Sequence, residues 1–347
     1  MYLGKKTNPK VSIIILNWNS WKDTIECLES LYQITYPNYD VIVVDNGSED
    51  ESIEELREYC KGNIEVKSKF FTYLNKNKPI NLREYTKKQI EINSPSIIKK
   101  EGDISPNKKM ILIKNDKNFG FAEGNNIAII YALNNLNTDY ILLLNNDTVV
   151  DKRFLEELIK VAESETNIGI VGPKTYFYHQ PNKLQLIWNR IDYIRGKIIL
   201  FGAGEIDQGQ FDKIKETDYT PGSCILIKQE VLKKIGLLDF RYYLYWEETE
   251  YCTRSKRNGY RDIYCPKAKI WHKVSQSTNK ISGLTTYYST RNRFWFMKKY
   301  ATNTQYLLFI LYFFTYEFWF LIIIYIIHQR NKTTFISFIK GVIDGIK

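Results

Sequence analysis

The segment Val11-Ser-Ile-Ile-Ile-Leu-Asn-Trp-Asn19 gives the strongest indication of the fold. Its apolar, β-branched run is too short for a helix and too apolar for an exposed strand. It therefore predicts a parallel strand that is buried on both faces. A helical stretch follows, and then a second such run, Val41-Ile-Val-Val-Asp-Asn-Gly-Ser48. Strands, polar turns and helices in alternation predict an α/β fold with a doubly wound, mostly parallel sheet.

Residues 70–107 interrupt this alternation. They contain few apolar residues and many lysines, and between Lys61 and Lys109 there are 12 Lys or Arg against 5 Asp or Glu. This composition predicts a basic insertion on the rim of the sheet, partly mobile. Buried-strand patterns resume at residues 110–114 and 140–144.

The charge of the chain indicates an anionic partner. The 347 residues carry a net charge of +10, which suits a phosphate-bearing substrate, a membrane surface or a nucleic acid. No aromatic residues are interleaved with the basic segment in a way that would stack on bases, so we expect no nucleic-acid partner. The five cysteines form no CxxC pair and their number is odd, which favours reduced thiols over a zinc site or a disulfide framework.

A long apolar segment lies near the C-terminus. Residues 305–327 are nearly all apolar, with Glu317 as the one charged residue, and basic residues flank them on both sides. The segment is long enough to span a bilayer, and it can equally be an interfacial helix or a hydrophobic hairpin. Its many aromatic residues and small polar face favour membrane association over a helix buried against the preceding domain. The flanking cations favour an anionic headgroup layer. No signal-peptide pattern precedes the first strand, so we expect the cytoplasmic face of the membrane.

Polar side chains stand at the ends of three predicted strands, at Asn17, Asp45, Asn145 and Asp147. Ligands of open α/β sheets bind outside the carboxyl ends of the strands, although Asp and Asn are also common in turns. A carboxylate at position 147 needs a helix N-terminus, a cation or a ligand to offset its desolvation. A divalent ion on diphosphate oxygens would serve, because Mg²⁺ typically uses one or two carboxylates together with phosphates.

A glycine-bearing segment, Asn118-Phe-Gly-Phe-Ala-Glu-Gly-Asn-Asn126, precedes another predicted helix. Gly120 and Gly124 allow the backbone to approach a ligand, and the helix N-terminus offers N–H donors to an anion. The alternative is an ordinary capped loop, and taken alone the segment favours that alternative.

An acidic run, Tyr245-Trp-Glu-Glu-Thr-Glu250, begins a further predicted helix. Carboxylates in a first turn suit the helix dipole, so a solvated turn is the ordinary explanation. The two aromatic residues favour a second explanation, a catalytic one. An apolar wall raises the pKa of one of two neighbouring carboxylates, and a general base can use a raised pKa. His272 follows a predicted strand and Trp271, and it is either structural or a ligand.

In their order and spacing, these blocks resemble glycosyltransferase family 2, within its rhamnosyltransferase-like and galactofuranosyltransferase-like branch. The resemblance covers residues 11 to 299. It is carried by the strand-end and glycine-bearing segments above, and by Leu144-Asn-Asn-Asp-Thr148, Trp246-Glu-Glu-Thr-Glu250 and Trp271-His272.

The resemblance implies a GT-A fold over residues 1–300, and the apolar segment predicts a hydrophobic, membrane-associating helical tail over residues 301–347. The resemblance also implies a UDP- or dTDP-sugar donor and a divalent metal, Mg²⁺ or Mn²⁺. For the nucleotide sugar it implies Asp45 on the nucleobase, Asn17 and Trp18 in the base pocket, Gly120, Asn126 and Trp246 beside the donor, and Asn145 at the ribose or in the metal shell. For the metal it implies Asp147 and His272 as ligands. Glu248 would be the base, and Glu247 could exchange roles with it.

The sequence departs from the family pattern at two positions. Asn145 replaces the first carboxylate of the DxD motif, and Glu248 replaces the usual Asp. No Arg-Trp pair occurs, so the QxxRW motif of processive members is absent. This absence favours the non-processive addition of one or a few sugars over polymer synthesis. The resemblance implies inverting transfer to a hydroxyl of a glycan or lipid-linked acceptor, with rhamnose as the first candidate and galactofuranose, glucose or an N-acetylated sugar as alternatives.

Two other functions compete with this one. A nucleotidyltransferase would need a basic, glycine-rich loop after the first strand, and Asn17-Trp-Asn-Ser20 is not such a loop. A membrane-associated nucleotide-sugar-binding protein that has lost its chemistry is favoured by Asn145.

Overall fold

A computed structural model of the chain describes residues 7–91, 106–274 and 282–347. Its strands are β1 (Val11–Asn17), β2 (Tyr39–Asp45), β3 (Asn81–Thr86), β4 (Lys109–Lys114), β5 (Tyr140–Asn145), β6 (Thr148–Val150), β7 (Ile168–Phe177), β8 (Leu184–Leu186), β9 (Asn189–Asp192), β10 (Lys197–Leu200), β11 (Lys215–Glu216), β12 (Cys224–Lys228) and β13 (Arg261–His272). Its helices are α1 (Trp21–Leu31), α2 (Ser52–Lys61), α3 (Lys87–Glu91), α4 (Gly120–Asn135), α5 (Phe154–Ala162), α6 (Gln229–Ile235), α7 (Glu247–Arg257), α8 (Ser282–Tyr300), α9 (Asn303–His328) and α10 (Lys332–Ile346).

One large sheet organises the molecule. Its strand order is β11-β13-β7-β12-β5-β1-β2-β4-β3, with β6 paired to β13 and β8 paired to β7. The half from β5 to β3 is entirely parallel, whereas β12 runs antiparallel to both β5 and β7. The predicted mostly parallel sheet is confirmed, and β12 is the antiparallel strand at its centre.

Both faces of β1 are buried, as its unbroken apolar sequence predicts. Ile13 and Ile15 belong to one core layer with side chains of α1 and α5, whereas Ile14 belongs to the opposite layer with side chains of α4. Helices therefore cover the sheet on both sides. All five cysteines are buried and unpaired, consistent with the expected reduced thiols.

The predicted basic insertion is partly built into the sheet. Residues 81–86 form β3, which pairs in parallel with β4 at one edge of the sheet. The composition instead predicted an insertion on the rim that interrupts the sheet. Glu84 accepts hydrogen bonds from Arg57 (2.7 Å) and Lys114 (2.8 Å), and chiefly the bond from Arg57 lowers the pKa of Glu84 to about 2. Ion pairs thus replace the apolar alternation by which a strand is usually recognised. Residues 92–105 of the predicted insertion lie outside the described part of the chain.

The C-terminal helices α8, α9 and α10 pack on one another through aromatic side chains. Phe309 and Phe313 of α9 are buried against Phe294 of α8, with ring centroids 5.1 and 4.8 Å apart. Glu317 is also buried, and its carboxylate pairs with Arg293 of α8 at 2.7 Å. Among the described residues, α9 is one helix of 26 residues that is long and apolar enough to cross a membrane, by length and composition only.

Candidate active site

Strand register brings the predicted polar residues to one edge of the sheet. Asn17 stands opposite Asp45 in the β1–β2 pair, and Leu16 stands opposite Asn145 in the β1–β5 pair. A cavity of about 560 Å³ opens at this edge. Its lining includes Trp18, Asp23, Asn46, Asn118, Gly120, Phe121, Asn145, Asn146, Asp147, Gly222, Tyr243, Leu244, Tyr245, Glu247, Glu248, His272, Leu284 and Thr285.

Asn17 and Asp45 form a buried layer beneath this lining. The Asn17 amide donates to Asp45 Oδ1 (2.8 Å) and accepts from Thr24 Oγ1 (2.7 Å). Asp45 also accepts from the hydroxyl (2.6 Å) and the amide (3.1 Å) of Ser48. Trp18, the next residue, does reach the cavity wall. The assignment of Asp45 to a nucleobase contact stays a prediction, and in this structure Asp45 fixes the turn after β2.

Asn46 connects two loops of the cavity wall. Its Nδ2 donates to Asn118 Oδ1 (2.9 Å) and to the carbonyl of Gly120 (3.1 Å), while its Oδ1 accepts from Asn115 Nδ2 (3.0 Å). The strand-end argument applied to Asp45 extends to this neighbouring residue, which our prediction passed over.

Gly120 interlocks with Tyr243. Its φ of +78° is one that glycine adopts without strain, and a Cβ atom there would lie 2.5 Å from the Tyr243 ring. The Tyr243 carbonyl accepts from the amide of Phe121 (2.7 Å), and the Gly120 amide donates to Asn118 Oδ1 (2.8 Å). The first N–H groups of α4 are therefore occupied within the protein, as in the capped-loop alternative. Gly120 itself lines the cavity.

Besides Asn17 and Asp45, two further predicted ligand contacts do not line the cavity. The Asn126 amide exchanges hydrogen bonds with the backbone of Leu238, at 2.9 and 3.1 Å, and is buried in the core. Trp246 packs on Phe296 of α8 with ring centroids 5.0 Å apart. Both residues stabilise the surroundings of the site, because their side chains are directed to neighbouring elements.

Asp147 and His272 meet although they lie far apart in the chain. The short β6–β13 ladder pairs Thr148 with His272, and this places His272 Nε2 3.1 Å from Asp147 Oδ1. His272 Nδ1 lies 2.9 Å from Gln185 Oε1, a contact that orients the ring. The predicted metal pair is thus brought together at the cavity, and Gln185 is a partner that the sequence did not reveal.

This pair suits a divalent ion that also binds its substrate. Ligands about 2.1 Å from an octahedral ion lie about 3.0 Å from their neighbours, close to the separation of Asp147 Oδ1 and His272 Nε2. Within residues 7–91, 106–274 and 282–347, no three His, Cys, Asp or Glu side chains are grouped to hold a metal. An ion at this place would leave coordination positions for other oxygen ligands, such as those of a diphosphate.

A strained loop leads into α7. Tyr243, Tyr245 and Trp246 have φ values of 64°, 67° and 72°, which non-glycine residues rarely adopt. Each such residue costs about 1–3 kcal/mol, and strain of this kind clusters at functional sites. The loop directs Tyr243, Leu244 and Tyr245 to the cavity and sets where α7 begins.

Glu247 and Glu248 begin α7 side by side on the cavity wall. Burial raises the pKa of Glu247 well above its ordinary value of 4.5, and repulsion from Glu248 adds to this effect. Burial also raises the pKa of Glu248, while hydrogen bonds from backbone amides, including that of Gly222, oppose the increase. The contact between the two carboxyl groups raises the pKa of Glu247 and lowers that of Glu248. Burial thus raises the pKa of both carboxyl groups, and the two neighbours resist being ionised together.

A mostly parallel sheet, with amide and acidic side chains from its strand ends facing one cavity, is the arrangement expected of the GT-A class of glycosyltransferase folds. Two family models match the sequence, Glycosyl transferase family 2 over residues 12–79 and Glycosyltransferase like family 2 over residues 96–295. Since the second match alone covers more than half of the chain, the chain belongs to glycosyltransferase family 2. The predicted family and fold are confirmed.

Three known proteins illustrate the relationship. The low-salt glycan biosynthesis hexosyltransferase Agl10 of Haloferax volcanii is 29% identical over 51% of this chain, and the dTDP-rhamnosyl transferase RfbF of Shigella flexneri is 24% identical over 55%. These matches span 56% and 64% of the two relatives' own lengths. The mannosyltransferase PcManGT of Pyrobaculum calidifontis, solved with GDP-Man and Mn²⁺, has a similar fold, with a TM-score of 0.54 and 13% identity over 98% of this chain and 88% of its own.

The Glu247–Glu248 pair makes stability depend on pH. Because the pKa of Glu247 is raised in the folded state, the folded protein holds this proton more tightly than the unfolded chain. The resulting stabilisation is fully present below pH 4.5 and is lost as pH rises toward the folded-state pKa. Glu247→Gln, which mimics the protonated form, should raise the melting temperature, with a gain that grows from about pH 5 to about pH 8. Thermal unfolding across this range measures the gain.

Glu49→Gln is the matched control, because Glu49 is exposed. It should leave the pH dependence of unfolding unchanged. An equal gain from Glu247→Gln at every pH would show that burial of a proton-holding carboxyl is not the cause.

Proposed function

We propose that this chain transfers a single sugar, with inversion, from a dTDP- or UDP-sugar to a hydroxyl of a glycan or lipid-linked acceptor, with rhamnose as the first candidate sugar. The observation that carries the proposal is that one cavity is lined both by the Asp147–His272 pair and by the Glu247–Glu248 pair. The choice of dTDP and rhamnose is supported by the likeness to a relative named as a dTDP-rhamnosyl transferase.

The nucleotide sugar binds at the carboxyl ends of β1, β2 and β5. Trp18 offers an aromatic face to the base, and Asn145 and Asn146 offer amides to the ribose and phosphates. The amide of Asn146 is held by Thr24 Oγ1 at 2.9 Å, and the backbone of Asn145 by the Ser223 carbonyl at 3.0 Å. These groups are therefore preorganised for the donor.

Asp147 and His272 would hold a divalent ion, Mg²⁺ or Mn²⁺, with Gln185 keeping the imidazole in place. Such an ion would neutralise negative charge on the diphosphate leaving group. Asn145 would contact the ribose or stand in the metal shell.

Glu248 is the general base. It removes the proton from the acceptor hydroxyl, whose oxygen forms the bond to the anomeric carbon while the bond to the diphosphate breaks and its electron pair leaves with the nucleoside diphosphate. Glu247 keeps its proton beside Glu248, and the Gly222 amide donates to Glu248. Attack from the face opposite the leaving group inverts the configuration.

The apolar face of α9 attaches the protein to a membrane. Exposed side chains recur at four- and eight-residue intervals along this helix, at Leu307, Leu311, Trp319, Ile323 and Ile327. Lys298, Lys299, Arg330 and Lys332 flank the helix and suit anionic headgroups. Attachment at the cytoplasmic face would bring the cavity to acceptors that are carried on lipids.

The first test is a donor panel by calorimetry, with UDP, dTDP and GDP and their sugars, each with and without Mn²⁺ or Mg²⁺. We expect one nucleoside diphosphate to bind in a metal-dependent way, and Asp147→Asn to abolish the dependence on metal because it removes the charged ligand. Asp116→Asn, an exposed and isosteric change, is the control. No binding of any nucleoside diphosphate to the folded protein with metal present would refute the proposal.

The second test separates the two glutamates. Glu248→Gln should keep donor binding but lower kcat by about 10²–10⁴-fold, because the base is gone. Glu247→Gln should retain most of the activity, since glutamine replaces an already protonated acid. Kinetics at saturating donor measure both variants. The reverse pattern would make Glu247 the base, and full activity in both would place proton transfer elsewhere.

The third test concerns membrane attachment. The double variant Leu311→Glu with Trp319→Glu puts charges on the exposed face of α9 and should abolish co-sedimentation with phosphatidylglycerol vesicles. Ile130→Glu with Ile214→Glu changes two equally exposed apolar residues elsewhere and should sediment like the wild type. Unchanged sedimentation of the α9 variant would rule this helix out as the attachment site.

A further inference from the structure

Helix α8 carries a buried amide that the proposed chemistry does not use. Asn292 is fully buried, and its Nδ2 lies within hydrogen-bonding distance of three backbone carbonyls, those of Tyr242 (2.8 Å), Leu244 (2.9 Å) and Tyr245 (2.7 Å). An amide has only two such hydrogens, so the three carbonyls share them. One side chain therefore gathers the carbonyls of a whole turn.

Arg291 fixes the other end of this amide. Its Nε and one terminal nitrogen donate to Asn292 Oδ1, at 3.0 and 2.8 Å, and the same terminal nitrogen donates to the Arg241 carbonyl at 2.7 Å. The guanidinium also lies over the Tyr288 ring, 4.7 Å from its centroid. A flip of the Asn292 amide would turn its donors toward the Arg291 guanidinium, so the orientation of Asn292 is set.

The segment whose carbonyls accept from Asn292 is the strained loop that leads to Glu247 and Glu248. Tyr243 and Tyr245 in this loop have positive φ angles, which are unfavourable for residues other than glycine. The loop borders the cavity. Together with the bond from the Phe121 amide to the Tyr243 carbonyl, the contacts of Asn292 and Arg291 select the observed conformation of the loop.

We infer that Asn292 is a positioning residue for the transfer reaction, and that Arg291 supports it. Together they hold residues 242–246 in the conformation that forms one wall of the cavity and sets the first turn of α7, where Glu247 and Glu248 stand. The kinetic consequence rests on the proposed function, whereas the effect on the loop does not.

Asn292→Asp tests the inference, because aspartate has the same shape and cannot donate to the carbonyls. Amide hydrogen exchange in residues 242–244 should become at least about 10-fold faster, since these amides are protected by turn hydrogen bonds such as Leu244 N to the Tyr242 carbonyl. We expect kcat to fall on the order of 10²-fold through misplacement of the base. Metal-dependent binding of the nucleoside diphosphate should stay unchanged, because it depends on the strand ends.

Asn135→Asp is the control, since Asn135 donates to a carbonyl of its own helix, α4, away from the loop. It should change neither exchange nor kcat. Wild-type exchange and kcat in Asn292→Asp would overturn the inference, and so would a parallel loss of nucleotide affinity, which indicates general unfolding. If Asn292→Asp does not fold, Arg291→Lys should show smaller changes in the same direction, and wild-type behaviour there overturns the inference too. If the wild type transfers no sugar, the proposed function fails, and hydrogen exchange alone decides the role of Asn292.

Discussion

The pairing of β1 between β2 and β5 fixes both the layers of the core and the position of the site. The strand is buried along its length, and its register with both neighbours is fixed residue by residue from Val11 onward. Side chains alternate between the two faces of a strand, so a slip of one residue would exchange the two core layers. The same register sets Asn17 beside Asp45 and Leu16 beside Asn145. The packing of the core thus determines where the cavity opens and which side chains reach it.

The opposite wall of the cavity is stabilised in a different way. Glu247 and Glu248 are desolvated neighbours, and the loop before them contains left-handed residues, so neither feature favours folding by itself. Hydrogen bonds from other elements hold this region, chiefly the Tyr243 carbonyl with Phe121 and the Asn292 amide with the loop. A stable sheet therefore carries one half of the site, and a locally unfavourable loop, fixed from outside, carries the other half. This division is common where chemistry conflicts with stability.

How much the sequence could predict depended on the range of the contacts involved. Strands β1, β2 and β5 and helix α7 have strong local patterns, and the sequence located them. The family resemblance selected Asp147, His272 and Glu248, which the structure places around one cavity, whereas it also selected Asn126 and Trp246, which point into the packing around it. Gln185 and Asn292 gave no local signal, because each acts on a residue tens of positions away. Side-chain direction in such cases is set by tertiary packing, which spacing alone does not encode.

Strand β3 was concealed by its polarity, and that polarity has a consequence for the behaviour of the protein in solution. Within the described residues β3 is the outer strand on its side of the sheet, so one row of its backbone N–H and C=O groups has no neighbouring strand. An exposed apolar edge of this kind would recruit strands from other molecules and seed aggregation. Arg83 and Glu84 put charges on this edge, and a second molecule that paired there would have to bring its own strand against them. The feature that made the segment hard to recognise as a strand is thus one that keeps crowded copies of the protein apart.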